Sequence, residues 1–136
     1  MTREIAIKTA AKWWADKLRA RAPHDNGAND PSNRLAMMLA DILTTPMSEE
    51  QLNRFRKALE EGIDQDLKKY GEQLGGVMGC DYGPCSLLSA AAEQAGINFA
   101  NFPYKTHLHI KNNGDYYTVL VSDGYAQPFE KIKPCE

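Results

Sequence analysis

Two cysteines and two histidines hold most of the reactive chemistry in this chain. Cys80 and Cys85 lie in "GCDYGPCSLLSAAAEQAG" (residues 79–96), and His107 and His109 follow in "THLHI". Pro84 falls in the first turn of a run that reads as a helix. Cys85 is then expected one residue inside the helix start, where unpaired N–H groups and the helix dipole favour a thiolate. A thiolate with a nearby imidazole is the minimum set for nucleophilic catalysis, with Cys85 attacking and His107 or His109 as base. The third member is left open between Asp123 and Asn113. The competing reading makes Cys85 a small half-buried residue in a first helical turn, which is the usual fate of a free cysteine.

The same residues can be read as metal ligands. His107 and His109 share one face of a strand, and Cys80, Cys85 or Asp81 could complete a set. The C-x4-C spacing is looser than the C-x2-C of structural zinc sites, so no metal and no cofactor is expected. A third reading is a binding cleft where the helix start meets the strands. Asp81, Tyr82 and Pro84 would line one side, and Lys105, His107, His109 and Tyr125 the other. A helix N-terminus and a lysine suit an anion, and aromatic faces suit a base. Trp13, Trp14, Phe102 and Tyr104 are further large aromatics, expected as anchors of an interface.

These residues depend on the elements that carry them. Ile7, Ala10, Ala11, Trp14 and Leu18 recur at helical spacing and predict a first amphipathic helix. Asp30-Pro31 opens a second, with Leu35, Met38, Leu39, Ile42 and Leu43 on one stripe and "TTP" at its end. "SEEQ" (48–51) has the form of a capping box and starts a third helix, whose apolar side is Leu52, Phe55, Leu59, Ile63 and Leu67 and whose end falls near residues 70–75. A short fourth helix is expected from about Pro84 to Ala95, with Gly96 at its C-terminal cap.

The period then changes to that of strands. Asn113-Gly114 predicts a two-residue hairpin turn that pairs Lys111 with Tyr116 and Ile110 with Tyr117. That register gathers Leu108, Ile110, Tyr117, Val119 and Val121 on one face and His107, His109, Lys111, Tyr116 and Thr118 on the other. A third strand within 125–132 would lie at an edge, since Pro128 cannot donate to a ladder. The expectation is an α+β fold: about three N-terminal helices and a short helix packed on a small C-terminal antiparallel sheet (hairpin 105–122). All 136 residues form one domain in this reading, with a helical part at 1–75 and a helix-plus-hairpin part at 76–136.

Composition narrows the function classes. The chain is 43% hydrophobic and 25% charged, which are globular values, and its net charge is -2. Lys and Arg are scattered rather than massed, so no direct nucleic-acid binding is expected. The N-terminal stretch mixes charge into every turn, and no apolar run reaches membrane-spanning length. Together with an odd number of cysteines, this gives the expectation of a cytoplasmic protein with reduced thiols.

The order Cys85 on a helix, then His107 or His109 on a strand, resembles that of papain-like and NlpC/P60-like hydrolases. The separation of the two is shorter than those families use, and their Gly-His-Ala strand is missing. Over nearly its whole length, through "AAKWWADKLR", "MGCDYGP", "AGINFANFPYKTHLHI" and "DGYAQPFEKI", the chain resembles small accessory proteins of phages and mobile elements of gut bacteria. That resemblance implies an anti-defence role: binding a host defence protein or sequestering a nucleotide signal in the host cytoplasm. The favoured reading is therefore a non-enzymatic binding protein, expected as a homo-oligomer, with the cysteine hydrolase or transferase as the alternative.

Overall fold

The structure, a computed structural model of the chain, describes residues 1–19, 47–70, 76–81, 83–124 and 126–135. The expected second helix and the residues Tyr82 and Tyr125 lie outside the described residues. What is described is α+β, with three helices on one face of a four-stranded antiparallel sheet.

Helix α1 (Arg3–Arg19) buries Ala6, Ile7, Ala10, Ala11, Trp14, Ala15 and Leu18. Four of these are alanine, which lets the helix approach its neighbours closely. Helix α2 (Glu49–Tyr70) opens with the expected capping box: the Gln51 N–H donates to Ser48 Oγ at 3.1 Å, and the Ser48 N–H donates to Gln51 Oε1 at 3.0 Å. Leu52, Phe55, Leu59, Ile63 and Leu67 are all buried, as the stripe requires. Arg3 pairs with Asp64 at 2.5 Å and Arg19 with Glu49 at 2.8 Å, tying α1 to α2 near both ends.

The sheet runs β1 (Gly76–Cys80), β2 (Thr106–Asn112), β3 (Tyr117–Asp123) and β4 (Glu130–Lys131), in that order and antiparallel throughout. Met78, Cys80, Thr106, Leu108, Ile110, Val119 and Val121 are buried under the helices. All of these but Thr106 join residues of α1, α2 and the third helix in one core cluster. Among the described residues no helix is long and apolar enough to cross a membrane.

Three expectations are corrected. Strand β1 falls where only a connection was expected; it forms because each of its residues has a partner on β2, from Gly76 opposite Ile110 to Cys80 opposite Thr106. The hairpin pairs Asn112 with Tyr117 and Ile110 with Val119, two residues away from the expected register. Its turn centres on Gly114-Asp115, with Gly114 at φ 96° and the Asn113 N–H donating to the Tyr116 carbonyl at 2.8 Å. A positive φ confined to the first central residue suits glycine there, whereas the Asn-Gly turn needs it at both. A shift of two keeps each side chain on its own face, so the division into covered and open faces survives. Finally, helix α3 (Ser86–Ala95) begins two residues later than expected, which makes Cys85 its N-cap. Gly96 does cap the other end, at φ 70°, with its N–H donating to the Ala92 and Glu93 carbonyls.

Candidate functional site

Strand parity places the polar residues. The β1–β2 ladder pairs Gly79 with His107 and continues past Cys80, where the Lys105 N–H donates to the Asp81 carbonyl at 2.9 Å. Residues 79, 81, 105 and 107 therefore face away from the helices. Pro84 and Cys85 return along β1: Cys80 bridges Pro84, and the Cys85 N–H donates to the Gly79 carbonyl at 3.0 Å. This return brings Cys85 beside Gly79, half-buried and packed against the margin of the core.

Asp81 is the centre of the cluster. Its Oδ1 lies 3.4 Å from Lys105 Nζ and 3.5 Å from His107 Nε2. On one flank, Met78, Gly79, Asp81, Gly83, Cys85 and His107 line a shallow recess of about 360 Å³. On the other, Asp81, Lys105, His107, Ser122, Gly124, Ala126 and Gln127 line one of about 390 Å³. Ser122 Oγ donates to the Gln127 carbonyl at 2.6 Å and so fixes the β3–β4 loop over the second recess. Lys105 and Ala126 have left-handed backbone, at φ 53° and 58°.

The expected site residues divide accordingly. Asp81, Lys105 and His107 converge, and Cys85 joins them. His109 sits one pair further along the same face, opposite Leu120, and lines neither recess. Pro84 is held in its bridge to Cys80, and its carbonyl accepts from Ser89 Oγ at 3.1 Å. Asp123 is corrected as a catalytic third member: it pairs with Thr106 on the covered face, and its carboxylate binds Lys17 of α1. Asn113 lies in the hairpin turn, where its Nδ2 donates to Thr118 Oγ1 at 2.7 Å. The carboxylate beside His107 is Asp81. Its equal parity with Lys105 and His107 was the available signal, but it required β1 to be recognised as a strand. Ser122, Gly124 and Gln127 were also missed, because a lining role for them depends on the tertiary register.

The aromatic interface is corrected at Trp14 and Phe102. Trp14 and Phe102 are buried in the core, with ring centroids 6.3 Å apart, and Phe102 also meets Phe55 at 5.9 Å. Trp13 is half-buried, edge-on to Trp14 at 5.1 Å and 5.3 Å from Lys17 Nζ. Tyr104 alone of the four is largely exposed.

Cys80, Cys85 and Cys135 are free thiols. Burial pushes the Cys80 thiol up to about 12, with the neighbouring Cys85 and Asp81 adding to the shift. Cys80 is thus a core residue with no nucleophilic role at neutral pH. Among the described residues no group of three or more His, Cys, Asp or Glu is placed to hold a metal ion. Compared with known proteins, the chain matches no family model, no curated protein and no solved structure.

Proposed function

We propose that this chain is a binding protein that holds a small anionic ligand of the nucleotide class in the recess between Asp81, Lys105 and the β3–β4 loop. One observation carries the reading. Lys105 and Ala126 are the non-glycine residues with left-handed backbone among the described residues, and both line this recess. Such conformations cost on the order of 1–3 kcal/mol each and gather where a site needs a fixed backbone.

The chemistry of the lining agrees. The volume falls in the range of roughly 300–1,000 Å³ typical of small-molecule sites. Lys105 supplies a cation, His107 a ring for stacking or hydrogen bonding, and Gly124 a place where a ligand reaches the main chain. The Lys105–Asp81 contact is partly exposed, so an incoming anion displaces it at a cost of about 1 kcal/mol or less. Combined with the resemblance to accessory proteins of phages and mobile elements, sequestration of a nucleotide signal of host defence is the role this site would serve. A homo-oligomer in the host cytoplasm belongs to the same proposal.

Native mass spectrometry of the purified protein, followed by calorimetry with mononucleotides, linear dinucleotides and cyclic nucleotides, tests it. The expected result is a retained or titratable nucleotide whose binding is abolished in Lys105→Ala. Unchanged affinity in that variant overturns the placement. An empty protein that binds no nucleotide but captures a defence protein overturns the ligand class in favour of a protein partner.

A further inference from the structure

Cys85, Gly79 and His107 form a transverse row across the end of β1. Gly79 is hydrogen-bonded to Cys85 on one side and paired with His107 on the other. Neighbouring strands lie about 4.8 Å apart, so Cys85 and His107 stand roughly 10 Å apart at the backbone with only a glycine between them. The His107 ring occupies the space above that glycine: a Cβ built on Gly79 would lie 2.2 Å from its Cδ2 and 3.1 Å from its Nε2. The imidazole therefore leans from β2 across β1, and His107 and Cys85 line the same recess. Cys85 is also the N-cap of α3 and makes no side-chain cap bond, so the first-turn N–H groups of the helix favour negative charge developing beside it.

We propose that this row is a second, chemical function of the chain: Cys85 is a nucleophile toward activated acyl groups, such as esters or thioesters, with His107 as its base. It goes beyond the binding reading and uses the opposite flank of His107. The thiol proton passes to the His107 imidazole, and the imidazolium so formed is stabilised by Asp81, whose Oδ1 is 3.5 Å from Nε2. The sulfur bonds to the carbonyl carbon, and the leaving group departs with the proton from His107. This leaves an acyl thioester on Cys85. Water then cleaves it, giving a carboxylic acid and the original thiol. Asp81 and Lys105 are the charged groups facing His107, and Ser122 is its neutral neighbour on β3.

The test is acetylation by p-nitrophenyl acetate, followed by nitrophenolate release and peptide mass spectrometry. Wild type is expected to label Cys85 at least tenfold faster than Cys135, a second half-buried thiol in the same chain. His107→Gln should slow Cys85 about a hundredfold, the usual scale of a lost general base. Cys80 serves as a folding control, since it is buried in the native state and labels only on unfolding. Equal rates at Cys85 and Cys135, or an unchanged Cys85 rate in His107→Gln with Cys80 still protected, overturns the proposal. If His107→Gln exposes Cys80, His107→Asn is read in its place by the same criterion.

Discussion

Replacing Gly79 by alanine separates the position of His107 from its chemistry. The new methyl would sit 2.2 Å from His107 Cδ2, whereas carbon atoms in contact lie about 3.5–4.0 Å apart. The ring must retreat by roughly 1.3 Å or more at that atom. Its side chain is 35% exposed, so it can swing outward without moving the strand. Three terms then set the stability. Alanine gains about 0.5–1 kcal/mol over glycine in a strand; loss of the exposed Asp81 contact costs about 1 kcal/mol or less; and any strained rotamer costs about 0.5–1.5 kcal/mol. They partly offset, leaving a net change between a gain of about 0.5 kcal/mol and a loss of about 2 kcal/mol. Urea unfolding should show a change within that range, while the His107 ring protons shift in NMR spectra and those of His109 hold still. Cys85 acetylation should fall with the displacement of the ring. A loss above about 3 kcal/mol, the scale of a disrupted core, would show that the backbone had moved instead. An unshifted His107 would show room above Gly79 that the geometry denies.

Two further outcomes are expected. Lys105→Gly relieves the left-handed backbone at φ 53°, worth about 1–2 kcal/mol, against a glycine chain-entropy cost of about 0.4–1 kcal/mol. The variant should equal wild type in thermal stability or exceed it by up to about 1 kcal/mol while losing nucleotide binding, and a clear destabilisation would refute the strain assignment. Cys80 links stability to alkaline pH. Its folded value is raised to about 12 from the ordinary 9.0, so the unfolded chain binds fewer protons between those limits. The contribution is fully present below pH 9 and is lost as pH rises toward 12. Denaturation midpoints should fall across that window in wild type and fall less in Cys80→Ala; equal slopes would sink the assignment.

The sequence carried much of this fold in signals that are local. The capping box at Ser48 and Gln51, the stripe of α2 and the cap at Gly96 need only neighbouring residues, and each stands as read. The hairpin faces were legible because Leu108, Ile110, Val119 and Val121 alternate. Its register was not, because asparagine side chains reset the turn: Asn112 Oδ1 accepts the Gly114 N–H at 2.9 Å. Strand β1 was hidden because "GVMGC" lacks alternation and owes its conformation to β2. With β1 unseen, Asp81 could be placed near Lys105 and His107 but not as the carboxylate beside the imidazole. Trp14 illustrates a different limit. Its helical spacing already placed it with Ala10 and Leu18, and the structure shows that this periodicity outweighs the habit of large aromatics to mark interfaces.

Both extremes of the described chain are stitched to its middle and to each other's neighbourhood. The Met1 ammonium donates to the Tyr117 carbonyl at 3.0 Å, and the Cys135 N–H donates to Thr9 Oγ1 at 3.0 Å. The central strand β2 begins only at Thr106, and β1 waits for it with one edge open. A ribosome therefore releases α1 and α2 long before any strand has a partner. The helices can pair as they emerge, but the sheet closes last, and synthesis through Gln127 precedes assembly of the recesses beside Asp81.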